Sequence, residues 1–319
     1  VKVVETVQGP QVRKADLEPI QDKLGTFSTY CGSGQSRVTN IENGVRQING
    51  AVLMPGEEYS AGKAMQPFTA DNGYVEGGAF ENGEVVMSMA GGICQVSSTL
   101  YNAVIYAELE VTSRQPHSMT VNYVNPSRDA AIAGDYKDFR FKNNYDTPIF
   151  IEGYIENGKV IFNIYGKETR PAGRTIEFVS ETISTEERPK KFEEDAGAAI
   201  GKISETSGGY KGVSAQLWKV VYENGSEVSR DVFNKSVYKP SVNKVKVGTS
   251  SSNPECTQLV RAAIQTQDEA KIKAAIADAK AKEASASVPE EQPEETPEEN
   301  QEEKPEENSE GTEQQGEGQ

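Results

Sequence analysis

Gly91-Gly92-Ile93-Cys94-Gln95-Val96-Ser97-Ser98-Thr99-Leu100-Tyr101-Asn102-Ala103 is the stretch around which the chain organises itself. From Ile93 to Ala107, Val96, Leu100 and Val104, with Ala103 and Ala107, fall on one face of a helix. The two glycines ahead of it let the chain turn sharply into its first turn. Upstream, Ile41, Val45 and Ile48 are spaced i, i+4, i+7, which predicts a short helix with Asn40 as N-cap and Asn49-Gly50 as its stop. Val52-Leu53-Met54-Pro55-Gly56 is a short apolar run ended by a turn dipeptide. Downstream, from Val111 to Tyr165, the pattern becomes β. Thr120 to Val124 and Phe139 to Phe141 alternate, and Phe150–Ile155 and Val160–Tyr165 flank the hairpin signal Glu156-Asn157-Gly158-Lys159. These elements predict an α+β domain over residues 25–167, after a lead-in segment at 1–24.

The rest of the 319 residues divides by composition. Glu168 to Gly173 reads as a linker, and residues 172–249 as an elongated, mostly-β module with a second hairpin signal at Glu223-Asn224-Gly225-Ser226. Residues 255–283 are Ala/Lys-rich and predict one helix with a modest apolar stripe. Residues 284–319 are Glu/Pro-rich with almost no apolar content, the signature of a disordered tail. From Val288 onward there are 13 Glu against one Lys, a net of −12 of the total −16, so residues 1–287 carry only −4. The folded part is nearly balanced in charge. With no basic stripe and a polyanionic tail, nucleic acid is not an expected partner. No apolar run is long enough for a membrane span. The start, Val1-Lys2-Val3-Val4, predicts an internal boundary from which a signal or membrane anchor has been removed.

Chemistry concentrates at Cys94. A thiol in the first turn of a helix meets partial positive charge and free N–H donors, which favour thiolate and could hold an oxyanion. Pro116-His117-Ser118 follows on a predicted loop-strand segment, and Asp129 and Asp138 are both candidates to orient the histidine. Cys94 as nucleophile, His117 as base and one aspartate as orienter would support acyl transfer. The order is similar to that of transglutaminase-like and papain-related thiol enzymes. Two bland readings stand beside it: a buried structural thiol, or a bridge from Cys94 to Cys31 or Cys256. One histidine is too few for a paired Cys/His zinc cluster, and neither a metal nor a cofactor is expected.

Gly25 to Gly166 resembles the VanW family. The matching residues include Gly25 to Thr29, Arg37-Val38-Thr39-Asn40-Ile41, Ile48-Asn49-Gly50, Val52 to Glu57, the Gly91 to Ala103 block, Pro116-His117-Ser118, Arg128-Asp129-Ala130 and Asp138 to Asn143. Residues from about Ala172 to Thr249 look like a G5 module, most clearly at Tyr222 to Arg230, Lys239-Pro240 and Val247-Gly248-Thr249. The first resemblance implies an envelope context rather than a reaction, with Cys94, Gln95, His117 and Asp129 at the family's motif positions. The extra thiol Cys31 departs from the family pattern and keeps a bridge open. The second implies binding to N-acetylglucosamine-containing glycan, or a stiff spacer.

The expected function is therefore extracellular and cell-wall-associated. In the favoured form the chain binds peptidoglycan or its fragments through the first domain, with Gly92, Gln95 and Ser118 as ligand-binding residues. The alternatives are a thiol-dependent amidase, peptidase or acyltransferase on peptidoglycan stem peptides, and a purely structural spacer.

Overall fold

The protein was analysed as a computed structural model that describes residues 14–81, 84–134, 136–205 and 209–286. Most of the lead-in (1–13) and the acidic tail from residue 287 lie outside the described residues. In chain order the elements begin α1 (Lys14–Leu17), β1 (Asp22–Tyr30), α2 (Gln35–Ile48), β2 (Val52–Leu53), β3 (Glu58–Ser60), α3 (Ala61–Met65), β4 (Glu76–Glu81) and β5 (Glu84–Met89). They continue α4 (Ile93–Tyr106), β6 (Glu110–Ser113), β7 (Arg140–Lys142), β8 (Ile149–Glu156) and β9 (Lys159–Gly166). The second half comprises β10 (Arg174–Glu186), β11 (Lys190–Ala199), β12 (Ile203–Glu205), β13 (Gly212–Glu223), β14 (Ser226–Tyr238), β15 (Asn243–Ser250), α5 (Pro254–Gln265) and α6 (Glu269–Ala286). The class is α+β, followed by a mostly-β region and two helices.

A four-stranded sheet, β1-β9-β8-β2, carries α4 and α2 on one face. Its β8–β9 turn places Asn157 at φ 50° and Gly158 at φ 73°, the left-handed pair that a tight hairpin needs. The β13–β14 turn repeats this with Asn224 and Gly225. β1 begins at Asp22, opposite Gly166, and Leu24 is buried, so the lead-in ends three residues earlier than expected. At Gly25 the strand runs against α4 so closely that a Cβ would sit 2.3 Å from the Ala103 carbonyl oxygen. Helix α4 is buried nearly all round because sheet, α2 and a long irregular segment enclose it.

Four further expectations need correction. Helix α2 starts at Gln35, not at Asn40, whose buried side chain makes long-range hydrogen bonds instead of capping. Thr120 to Val124 is irregular rather than a strand. With no partner strand, it lies across the start of α4, where Tyr123 finds contacts described below. The Ala/Lys-rich helix is two, broken where Gln267 takes φ 55° and its side chain bonds both the amide and the carbonyl of Phe192. The break lets Val260 and Ile264 meet Ile272, Ile276 and Ala279 over Val245 and Val247. Helix α6 also runs on to Ala286, three residues into the segment assigned to the tail.

The two larger parts are not independent. Phe178 and Leu217, from β10 and β13, belong to the same buried cluster as Leu100, Ile105 and Phe162. Phe178 meets Tyr106 edge-on at 5.2 Å between ring centroids. The linker is pinned as well, with Arg170 donating to the carbonyls of Leu24 and Tyr106. Glu108 pairs with Arg174 and Lys219, whose hydrogen bonds and charges outweigh its burial and hold its carboxyl at about 2.

Candidate functional site

The entry to α4 is shaped by its two glycines. Gly92 is at φ 105°, and a Cβ on Gly91 would lie 2.3 Å from the Gly77 carbonyl oxygen, so the β4–β5 hairpin presses on the helix start. Asn40 fastens this junction, donating to the carbonyls of Val75 and Gly91 and accepting from the Val75 amide.

One face of α4 then grips the chain from Arg128 to Ile132. The Cys94 sulfur lies 3.4 Å from the Ile132 amide nitrogen and 3.3 Å from its carbonyl oxygen. Ser98 Oγ accepts from the Ala130 amide at 3.0 Å, and Ser97 donates to its carbonyl. Asn102 donates to the Arg128 carbonyl and accepts from its guanidinium. Four helical residues rise ~6 Å and two extended residues span ~6.6 Å, so positions 94, 98 and 102 match 132, 130 and 128 rung by rung. Asp129, out of phase with its neighbours, turns the other way.

That turn delivers Asp129 to His117. Asp129 is fully buried, and its Oδ2 lies 2.6 Å from His117 Nδ1 and 2.7 Å from the His117 amide nitrogen. Its Oδ1 accepts from Arg114 at 3.0 Å and from the Tyr238 hydroxyl at 2.5 Å. Burial opposes ionisation, but His117, Arg114 and Tyr238 outweigh it and hold the carboxyl at about 2. With Nδ1 committed, Nε2 is the nitrogen left to act on Cys94, and the two side chains shift each other's ionisation. Burial works against the thiolate, yet the His117 hydrogen bond and charge, with the Ile132 amide, keep Cys94 below its ordinary range. Burial likewise disfavours the imidazolium, but Asp129 and Cys94 push His117 up to about 9. Each group thus favours the charged form of the other, thiolate on Cys94 and imidazolium on His117. Tyr123 covers it, with its hydroxyl 3.5 Å from His117 Nε2.

Cys94, His117 and Asp129 are thus brought together. Asp138 is not: its carboxylate accepts from Ser60, the Gly62 amide and Arg140 at the start of α3. The residues expected to bind ligand have other employment. Gln95 donates to Thr29 and Tyr30 and accepts from Arg37, which uses both its donors and one of its two acceptor positions. The Ser118 carbonyl accepts from the Lys239 amide of the second module, and Gly92 lies beneath the Arg37 side chain. The amides of Ile93 and Gln95 already bond Ala90 and Gly92, so neither is a spare oxyanion donor. All three cysteines are free, and Cys256 sits in the separate C-terminal cluster. Arg37, Arg114, Tyr123 and Tyr238 escaped the sequence reading. Arg37 alone left a trace, in the quoted Arg37 to Ile41 block. A groove of about 540 Å³ lined by Lys23, Tyr106 and Arg170 lies at the linker and not at these residues.

Cys94, His117 and Asp129 lie within a stretch that matches a known family model. Residues 36–165 match the family model described as VanW like protein, and residues 178–250 match that of the G5 domain. The chain is 37% identical over 147 residues to the uncharacterized protein YoaR of Bacillus subtilis (strain 168), covering 46% of this chain and 48% of YoaR. It is 22% identical over 180 residues to the vancomycin B-type resistance protein VanW of Enterococcus faecalis (strain ATCC 700802 / V583), covering 53% of this chain and 65% of that protein. The chain therefore spans about half the length of the first relative and less than two thirds of the second. Among solved structures, the IgA1 protease G5 domain is similar at 24% identity and a TM-score of 0.18, covering 24% of this chain and 94% of that one. HP0197-G5 is similar at 15% identity and a TM-score of 0.17, covering 24% and 97%. The chain carries a VanW-like domain followed by a G5 domain.

Proposed function

We propose that the protein is a cysteine-dependent acyl-transfer or amide-hydrolysing enzyme acting on peptidoglycan stem peptides outside the cell. One observation carries the reading: His117 Nδ1 lies 2.6 Å from a fully buried, ionised Asp129, and the charge of the histidine lowers the Cys94 thiol from its ordinary range. In the reaction the Cys94 thiolate attacks an amide carbonyl carbon, and His117 Nε2–H gives its proton to the departing amine nitrogen as the C–N bond breaks. The thioester left on Cys94 is then attacked by water or by an amine, with neutral His117 taking that nucleophile's proton and Cys94 leaving as thiolate. Asp129 fixes the tautomer and stabilises the imidazolium. The Cys94 amide, which has no hydrogen-bond partner among the described residues, is the backbone donor at the helix start for the oxyanion.

The substrate class and the location rest on the company the site keeps. A G5 domain beside a VanW-like domain supports a wall-associated protein, with the G5 domain holding N-acetylglucosamine-containing glycan. The rival reading of a binder without chemistry is weakened by the internal commitments of the Gln95 side chain. Labelling of the intact protein with iodoacetamide at neutral pH, followed cysteine by cysteine by mass spectrometry, tests the proposal. Cys94 should react faster than free cysteine without prior reduction, and His117→Ala should slow it. An inert Cys94, or one that reacts only after reductant, overturns the enzyme reading.

A further inference from the structure

Arg37 has no acidic partner among the described residues. Its half-buried guanidinium is held by two neutral acceptors, Nε by the Cys31 carbonyl at 3.1 Å and Nη2 by Gln95 Oε1 at 2.6 Å. Among the described residues no carboxylate lies within ion-pair distance of it, and Nη1 makes no hydrogen bond. Withdrawing a charge from water without a counter-charge is costly, and most such groups are paired. Here the cost is sustained by a dedicated brace, since Gln95 is itself fixed by Thr29 and Tyr30.

The brace holds Arg37 against the start of α4 and the Tyr123 ring. Nη1 lies 3.3 Å and Cγ 3.0 Å from where a Cβ on Gly92 would stand, two residues before Cys94. A side chain at Gly92 would displace the arginine, so the glycine serves this approach as well as the helix turn. Arg37 also lies 5.9 Å from the centroid of the Tyr123 ring, which meets the His117 ring edge-on at 6.4 Å. Arginine, tyrosine, histidine and cysteine therefore form one continuous surface, with an uncompensated cation at its end.

We infer that Arg37 anchors a carboxylate of the substrate, so that the amide attacked by Cys94 lies next to a free C-terminal carboxyl group. The inference rests on the thiol-enzyme reading and narrows it to removal or exchange of a C-terminal residue. The planar guanidinium fork suits a carboxylate better than a point charge does.

The test compares alkylation of Cys94 by anionic iodoacetate and neutral iodoacetamide in the intact protein, Arg37→Gln and Arg37→Lys. The iodoacetate-to-iodoacetamide rate ratio in the unaltered protein should exceed that of free cysteine by roughly tenfold, about what one charge-assisted hydrogen bond supplies. It should fall most in Arg37→Gln and partly in Arg37→Lys, which keeps the charge but loses the fork. A ratio common to all three proteins overturns the anchor while leaving the enzyme reading intact. Cys94 inert to both reagents overturns the enzyme reading itself. Should Arg37→Gln not fold, a ratio in Arg37→Lys equal to that of the unaltered protein overturns the anchor.

Discussion

Tyr238, the last residue of β14, donates a 2.5 Å hydrogen bond to Asp129 Oδ1 across 109 residues of sequence. The acid that orients His117 is therefore steadied by the G5 domain. The same hydroxyl accepts from the Ser127 amide, so both its donor and its acceptor capacity are used in a buried place.

Tyr238→Phe removes a hydrogen bond to a buried charge and leaves the Ser127 amide without its acceptor. It should lower stability by about 1.5–3 kcal/mol and slow alkylation of Cys94. Urea unfolding combined with the labelling assay reads both effects. Unchanged values in both would show that the contact has no energetic weight.

Because Phe178 and Leu217 sit in the core of the VanW-like domain, the two parts should melt together. Calorimetry on the whole chain should give one transition for residues 22–238. A fragment ending at residue 167 should melt lower and bind a hydrophobic dye, because it exposes the surface that those side chains cover. A fragment as stable as the whole chain would sink this expectation.

The Glu108 hub predicts a particular acid response. Its carboxyl is held at about 2 in the fold, below the ordinary 4.5, so its stabilisation is full above pH 4.5 and is lost as pH falls through about 2. Glu108→Gln should be less stable than the parent at neutral pH, by about 3 kcal/mol for a mostly buried ion cluster. The gap should close toward pH 2. A gap that is constant with pH would mean that shape, not charge, sets the effect.

Cys94 offers the complementary titration. Its pH–rate curve with iodoacetamide should have a midpoint below that of free cysteine, because imidazolium and the Ile132 amide favour the thiolate. His117→Gln removes the larger of these favourable influences and should move the midpoint upward. A midpoint insensitive to this substitution would assign the lowering to the helix start and amide alone.

How much of this was legible depends on the range of the physics. Cys94 at a glycine-led helix start, and a histidine and an aspartate after it, could be read because helix periodicity and helix-end charge are local. The choice between Asp129 and Asp138 could not, because it was made by the Ser98 and Asn102 side chains gripping a distant backbone. Thr120 to Val124 alternates like a strand, but Tyr123 is held by Arg37 near its ring and by the His117 ring edge-on. Asn40 looked like a cap because its side chain suits one, whereas its amide ties three segments together. Both Asn-Gly turns were readable because the left-handed pair is a property of the dipeptide. The break at Gln267 depends on a neighbouring strand and left no mark in an Ala/Lys-rich run.

The rung-by-rung match between α4 and residues 128–132 acts as a length gauge. One residue inserted into that stretch would flip Asp129 to the wrong side of its own backbone, and one inserted between 94 and 102 would rotate the gripping side chains by ~100°. The segment from Glu108 to Pro126 has no such rung-by-rung match and is held at separate points, by Glu108, by the β6–β7 pairing, and by Arg114, His117, Ser118 and Tyr123. Related chains should therefore vary in length between those points and hold both calibrated stretches to the residue.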